Sequence, residues 1–243
     1  MHRFLSTSLK NPICTISDKK EIHHIKNVLR LKKGQEVYLF DGQGTEAQCN
    51  IIKISNTSVK FKILKKIKNL EKKTHIVLAC AIPKKSKFES IIEKCTELGV
   101  DEIIPLNTKR TEVKILEKNL NKKMNRFKEI SINASKQSKR NILPIIHPIA
   151  TLKTALNQLD DTSIGFIGWL ESQKKEIKDL VTQELKLKSR IIFFIGPEGD
   201  FTPEEISLAT EAGCIPISLG KTTLKVDTAA ISVIAFSNFI INT

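Results

Sequence analysis

The chain has 243 residues, with 40 Lys or Arg against 26 Asp or Glu for a formal net charge of +14, and 40% of it is apolar. That apolar share supplies a core and excludes wholesale disorder, and the length admits one large domain or two smaller ones. A charge this high points to an anionic partner, nucleic acid or an anionic membrane surface, and says little about fold; 34 of the 40 cations are Lys, so a solvated lysine surface accounts for most of them.

The five cysteines, Cys14, Cys49, Cys80, Cys95 and Cys214, are odd in number and form no C-x-x-C, which argues against a disulfide scaffold and a zinc ribbon; no metal is expected. The opening residues Met1 to Ser6 lack the apolar run of a signal peptide. The longest charge-free stretch, Thr228 to Thr243, is shorter than a membrane span and carries Ser, Asn and Thr, so it reads as a buried C-terminal helix. A soluble, reduced, cytoplasmic protein is expected.

Residues 1–72 hold 15 basic and 6 acidic residues, and residues 73–243 hold 25 and 20. The polar run Lys68 to Thr74 reads as a linker, giving two expected domains, 1–72 and 73–243. In the first, a helix is expected near Asp18 to Leu29 with Ser17 as its cap. Val37 to Phe40, Ala47 to Ile54 and Val59 to Leu64 read as strands, joined by Asp41-Gly42-Gln43-Gly44 and Ser55-Asn56-Thr57. Short strands with tight turns predict a small antiparallel barrel.

Beyond the linker, strands and helices alternate. Ile76 to Ile82 is a buried strand, Lys87 to Leu98 a helix stopped by Gly99, and Glu102 to Leu106 a strand. Leu116, Leu120, Met124, Phe127, Ile130 and Ala134 keep helical spacing, with Lys118, Lys122, Arg126 and Lys136 on the other face. Leu143 to Ile149, Ser163 to Ile167, Arg190 to Ile195 and Ile215 to Leu219 read as strands. Thr202-Pro203-Glu204-Glu205 opens a helix with a capping box, and Asp227 to Ile241 is the last helix. This alternation predicts a mostly parallel sheet with helices on both faces.

Three segments carry chemistry. The strand Ile191 to Ile195 runs into Gly196-Pro197-Glu198-Gly199 and then a capped helix. Ligands of open α/β sheets bind just beyond strand C-termini, and glycines let backbone approach a ligand, although an ordinary strand–turn–helix connection has the same look. A second loop, Leu219-Gly220 to Asp227-Thr228, repeats the arrangement, and if the two strands are neighbours both loops face one crevice; Asp227 or Thr228 would also serve as an N-cap. A third, Ala134 to Asn141, crowds Lys136, Lys139 and Arg140 with hydroxyls and amides at a helix end. That suits the helix dipole or contacts to phosphate. G-x-G-x-x-G, Walker A, G-x-S-x-G and H-E-x-x-H patterns are all missing. The histidines and Cys95 read as structural.

Taken together these stretches resemble the RsmE family of SPOUT-class RNA methyltransferases. The resemblance runs through Arg3-Phe4-Leu5, His24-Ile25, Val28-Leu29-Arg30, Phe40-Asp41-Gly42, Lys87-Phe88-Glu89, Glu93 to Val100, Gln137 to Asn141, Ile195 to Gly199 and Leu219-Gly220 through Ala229. It implies a PUA-like β-barrel followed by an α/β domain with a deep C-terminal trefoil knot. The implied activity is methylation of uridine N3, position 1498 by family convention, in 16S ribosomal RNA of the small subunit. S-adenosylmethionine is the implied donor and a homodimer the implied assembly.

By the same analogy Trp169, Leu170, Ile195, Gly196, Glu198, Gly199, Leu219, Gly220 and Leu224 bind the cofactor, and Arg140, Lys225 and Asp227 are catalytic. Arg3, Lys26, Arg30, Lys32, Lys33, Lys87, Lys136 and Lys139 contact RNA. The chain departs from the family pattern at Asp200, where a second glycine is usual, and at Lys225 and Asp227, where Arg and Glu are usual. Those departures leave open a non-catalytic RNA-binding or ribosome-assembly protein on the same fold. A SPOUT methyltransferase acting on transfer RNA is the third reading.

Overall fold

The computed structural model describes residues 2–6, 9–68, 73–84, 87–113, 116–170 and 189–241. They fall into two compact units, Met1–Glu71 with Ser135–Leu143, and Lys72–Ala134 with Pro144–Thr243. The first unit is therefore discontinuous in sequence.

The first unit contains β1 (Arg3–Leu5), β2 (Ile13–Ile16), α1 (Lys19–His23), β3 (Glu36–Phe40), β4 (Thr45–Ile54) and β5 (Val59–Lys68). They form a five-stranded sheet in the order β1-β3-β4-β5-β2. Only the β1–β3 pair is parallel. Alternation sends Val37, Leu39, Cys49, Ile51, Val59 and Phe61 to one face, where Ile22 and Ile25 of the helical segment close the core. The turn between β3 and β4 is held by Asp41, whose Oδ1 accepts from the backbone N–H of Gln43 (2.8 Å) and of Thr45 (2.9 Å).

The helix differs from expectation in two respects. Its cap is Asp18, not Ser17, because the Asp18 carboxylate accepts from the Glu21 N–H. After His23 the chain widens into a π-helical turn, His24–Val28, and Arg30 follows it at φ +51°. Ser135–Leu143 of the same unit meets the turn between β3 and β4: the N–H of Leu143 donates to the Gly42 carbonyl (2.9 Å) and that of Gly44 to the Asn141 carbonyl (3.0 Å).

The second unit contains β6 (His75–Ala81), α2 (Lys87–Glu97), β7 (Glu102–Asn107), most of α3 (Glu117–Gln137), β8 (Ile145–Ile146), β9 (Ala150–Thr151), α4 (Leu152–Leu156), β10 (Ser163–Gly168), β11 (Arg190–Ile195), α5 (Pro203–Glu211), β12 (Ile215–Ile217) and α6 (Val226–Ile241). Its strand pairs among the described residues are all parallel. The order is β12-β10-β11-β6-β7-β8, with β9 also pairing β7.

The two sheet faces are read directly along β6. Ile76, Leu78 and Cys80 pack with α2 and α6, whereas Val77 and Ala79 pack with α4 and α5. Gly99 stops α2 at φ +99°. The capping box at α5 is present, with the Thr202 side chain accepting from the Glu205 N–H and the Glu205 carboxylate from the Thr202 N–H. The expected strand Leu143 to Ile149 is reduced to two residues. Pro144 and Pro148 flank it and lack the N–H a ladder needs. Among the described residues no helix is long and apolar enough to cross a membrane.

Candidate methyl-donor cleft

A cleft enclosing about 790 Å³, part of it open to solvent, lies at the C-terminal ends of β10, β11 and β12. β11 and β12 are not neighbours, since β10 lies between them, so three loops rather than two converge. The lining comprises Gly168, Trp169 and Leu170 after β10, then Ile195, Gly196, Pro197, Glu198 and Asp200 after β11, and Ser218 to Leu224 after β12. Val226 and Ala229 of α6 complete it. Of the nine residues expected to bind a cofactor, eight line this cleft; Gly199 does not.

Two glycines are needed for the shape. A Cβ on Gly196 would sit 3.1 Å from the Phe201 ring and 3.2 Å from the Phe201 backbone nitrogen. Gly220 adopts φ +126°, a conformation L side chains rarely take.

Side chains tie the loops together. The Glu198 Oε1 accepts from the Lys84 N–H (3.1 Å), joining the loop after β11 to that after β6. Lys84 in turn pairs with Glu112 at 2.7 Å, and that hydrogen bond raises its pKa above the usual lysine value. Arg110 donates to the Gly199 carbonyl (2.6 Å) and the Phe201 carbonyl (3.4 Å). Asp200 sits at φ +61°; its Oδ2 accepts from the Leu170 N–H (3.1 Å) and its Oδ1 from the Phe201 N–H (2.8 Å). Aspartate tolerates the left-handed region better than most residues, so an acid here closes the turn and fastens the loop after β10.

Lys225 and Asp227 do not line the cleft, although their neighbours Leu224 and Val226 do. Asp227 lies inside the first turn of α6 and is not its cap. Its Oδ1 is buried without a hydrogen bond, and the nearest cation is Lys87 at 4.0 Å. Cys80, fully buried at the end of β6, has its thiol pushed well above the usual cysteine range by burial first, then by Cys95, Glu198 and Asp227. It is no nucleophile.

Arg140 belongs to the first unit, as do most of the expected RNA contacts. Lys26, Arg30, Lys32, Lys33 and Lys139 are exposed there. Arg3 is placed differently. Its side chain is 6% exposed, pairs with Glu46 at 3.1 Å, lies 5.0 Å from the Phe40 ring centroid, and donates to Asn141 and to the Arg140 carbonyl. Desolvation lowers its pKa from the ordinary arginine value, with Glu46 opposing. Lys136 is likewise held by Glu21 with little exposure. Both cations make contacts within the first unit. Arg110 was not legible in the sequence; its only signal is its place just beyond a strand C-terminus.

A sequence profile described as an RNA methyltransferase domain matches residues 70–238, and one described as an RNA methyltransferase PUA domain matches residues 16–64. Fold and cleft thus define the class, an RNA methyltransferase domain preceded by a PUA domain. Ribosomal RNA small subunit methyltransferase E of Bacillus subtilis is 31% identical over 224 residues, covering 89% of this chain and 88% of the relative. The protein of that name from Mesomycoplasma hyopneumoniae is 34% identical over 211 residues, covering 86% and 87%. The chain belongs to the ribosomal RNA small subunit methyltransferase E family. A crystal structure of such an enzyme from Neisseria gonorrhoeae, bound to S-adenosyl methionine, matches it with a TM-score of 0.88 at 27% identity, covering 99% of this chain and 98% of that one.

Proposed function

We propose that this chain transfers a methyl group from S-adenosylmethionine to N3 of one uridine in small-subunit ribosomal RNA, the position numbered 1498 by family convention. The observation that carries the reading is the three-loop cleft in a chain of this family. Its character fits the donor. Trp169, Leu170, Ile195, Leu219, Leu224 and Val226 offer an apolar wall for a flat purine, and the strand-end loops offer backbone amides and carbonyls for its polar edges. When bound, the donor supplies an electrophilic methyl on a positively charged sulfur.

The residues of the chain have the remaining tasks. Uridine N3 carries a proton and is a poor nucleophile until that proton leaves, so the site must stabilise negative charge on the ring oxygens. Lys225 and Lys87, at the start of α6 and α2, are assigned to that charge, and Asp227 orients Lys87 across 4.0 Å. Arg140 is assigned to the RNA, where its planar fork suits two oxygens. Trp169 and Leu224 exclude water from the donor, so alignment of the reacting atoms contributes much of the rate.

The departure at Asp200 does not favour a non-catalytic relic, because the acid is accommodated at φ +61° and braces the cleft. The same reading includes the trefoil knot at the loops after β11 and β12, a cytoplasmic location, and a homodimer.

The test is methyl transfer from labelled S-adenosylmethionine to small ribosomal subunits lacking the modification, with the labelled nucleotide mapped. Label at N3 of a single uridine, lost in Arg140→Ala, is expected. Transfer to transfer RNA only would move the reading to that branch. Neither transfer nor donor binding would leave an RNA-binding protein on the same fold.

A further inference from the structure

We propose that the outward face of β4 and β5 in the first unit, centred on Lys53, Lys60 and Lys62, is a docking surface for the phosphate backbone of RNA. Between Glu46 and Glu71 the sequence has six lysines and no acid. Composition alone would scatter these charges; the register gathers them. Lys53 stands directly opposite Lys60, and Lys60 opposite Thr15 of β2. Lys62 stands between Asn50 and Ile13. Residues directly opposite share a face. Phe61 and Cys14, which alternate with Lys60, Lys62 and Thr15, are buried in the core, so Lys60 and Lys62 point outward; a bulge between Ile51 and Lys53 shifts the register so that Lys53 joins that face although Ile51 is buried, and all three lysines are exposed.

Like charges directly opposite one another in a sheet destabilise it, and a merely solvated surface would gain from an acid at either position. The structure has none there. Lys53, Lys60 and Lys62 form no ion pair among the described residues, and the one acid in these two rows, Glu36, accepts a hydrogen bond from Gln48 two strands away from Lys62. Ser135–Leu143 of this unit meets Arg3 and the turn between β3 and β4 at Gly42 and Gly44. Cations with interspersed hydrogen-bonding side chains (Thr15, Asn50) and no acid directly opposite a lysine match a polyanion, and phosphate contacts of this kind position a nucleic acid without reading its sequence. The three lysines lie within residues 16–64, the part matched as an RNA methyltransferase PUA domain, which favours RNA over an anionic lipid surface.

This inference rests on the proposed RNA substrate, and the experiment separates the two. In the full chain, Lys53→Gln/Lys60→Gln/Lys62→Gln is compared with the wild type and with the triple Lys→Arg variant. Binding to an unmodified small-subunit ribosomal RNA transcript is measured over a salt series, alongside melting temperature, S-adenosylmethionine binding and methyl transfer. Removing three phosphate-binding cations should lower the slope of log K against log salt by about 2–3 and weaken binding at least about tenfold at low salt. The Arg variant should keep both. Melting temperature and donor binding should stay unchanged, since the substitutions remove a repulsion. An unchanged slope overturns the proposal, whatever the methylation result. So does binding to phosphatidylserine vesicles that is lost in the Gln variant while RNA binding is kept. A wild type that transfers no methyl but shows the slope difference would sink the methylation reading and leave this surface standing.

Discussion

Replacing Asp200 by glycine tests how the cleft is built. Glycine suits φ +61° better than aspartate does, so on backbone grounds the change should stabilise the turn slightly. It removes two hydrogen bonds, one to the Phe201 N–H within the turn and one to the Leu170 N–H in the loop after β10. A net hydrogen bond contributes about 0.5–1.5 kcal/mol, and Leu170 is 60% exposed, which places its tie near the lower end. Overall stability should therefore change by less than about 1 kcal/mol, because gain and loss offset. Donor affinity should respond differently, since Trp169 and Leu170 form one wall and, among the described residues, Asp200 fastens Leu170 to the loop after β11. Losing the two bonds together, about 1 kcal/mol of preorganisation, corresponds to roughly a fivefold weaker Kd. Calorimetric titration with S-adenosylmethionine reads this directly, with the melting curve as control. Asp200→Asn keeps the tolerance for positive φ but has one acceptor oxygen where the carboxylate uses two, so it keeps one of the two bonds and should bind the donor between the wild type and Asp200→Gly. The reasoning is refuted if Asp200→Gly binds the donor as tightly as the wild type.

Three further outcomes are expected. Arg3→Ala leaves the Glu46 carboxylate and Asn141 facing an empty, mostly buried site; breaking such a pair costs about 3 kcal/mol, and denaturant unfolding of the first unit should show it, with donor binding intact. Gly165→Ala would put a Cβ 2.7 Å from the buried Cys214 Sγ and 3.1 Å from Leu159. Overpacking of about 1–3 kcal/mol lowers Tm by roughly 2–12 °C, and Cys214→Ala in the same chain should recover most of the loss; no recovery would mean the clash lies elsewhere. All five cysteines are buried, and burial pushes Cys49, Cys95 and Cys214 up to about 12 and raises Cys14 and Cys80. The thiols therefore stay protonated in the folded chain, so iodoacetamide at pH 8 should label none within minutes and all five after denaturation; rapid labelling of the folded protein would contradict the burial.

The parts of this fold legible in the sequence are those decided locally. Continuous apolar runs marked β6 and β11 almost to the residue, because a strand buried on both faces needs no alternation. The capping box at Thr202 and Glu205 and the stop at Gly99 were equally plain, since each depends on residues three or four apart. Leu143 to Ile149 misled because its apolar residues suggest a strand while its two prolines forbid the ladder. The π-helical turn after His23 left no sign, as a widened turn keeps nearly the same apolar spacing. The glycine-bearing ends of the cleft were visible as strand-to-loop transitions. The contacts of Arg110, Glu198 and Asp200 were not, because each joins segments far apart in the chain. Charge was the least legible property. Arg3 and Lys136 have the same composition signal as Lys32 or Lys139, and only the fold shows that Glu46 and Glu21 neutralise the first two.

Those distant ties divide the cleft into two unlike walls. The loops after β6, β7, β10 and β11 are joined by Glu198 to the Lys84 N–H, by Arg110 to the Gly199 and Phe201 carbonyls, by Asp200 to the Leu170 N–H and by Glu205 to the Lys109 N–H. Each is a side chain meeting a backbone group, so it fixes the path of the chain rather than the rotamer of another side chain. The loop after β12 is different. Among the described residues, Ser218 to Thr223 makes side-chain hydrogen bonds only within itself, between Ser218 and Gly220. Fixed dipoles stabilise a ligand without reorganisation, whereas this loop is anchored by the packing of Leu219 and Leu224 against the core. Substitutions at Arg110, Glu198 or Asp200 should then act on donor affinity through the shape of the free protein. Substitutions at Leu219 or Leu224 should act through contact with the donor and through packing on the core, and substitutions at Lys225 or Asp227 should alter charge beside the cleft while leaving the braced wall untouched.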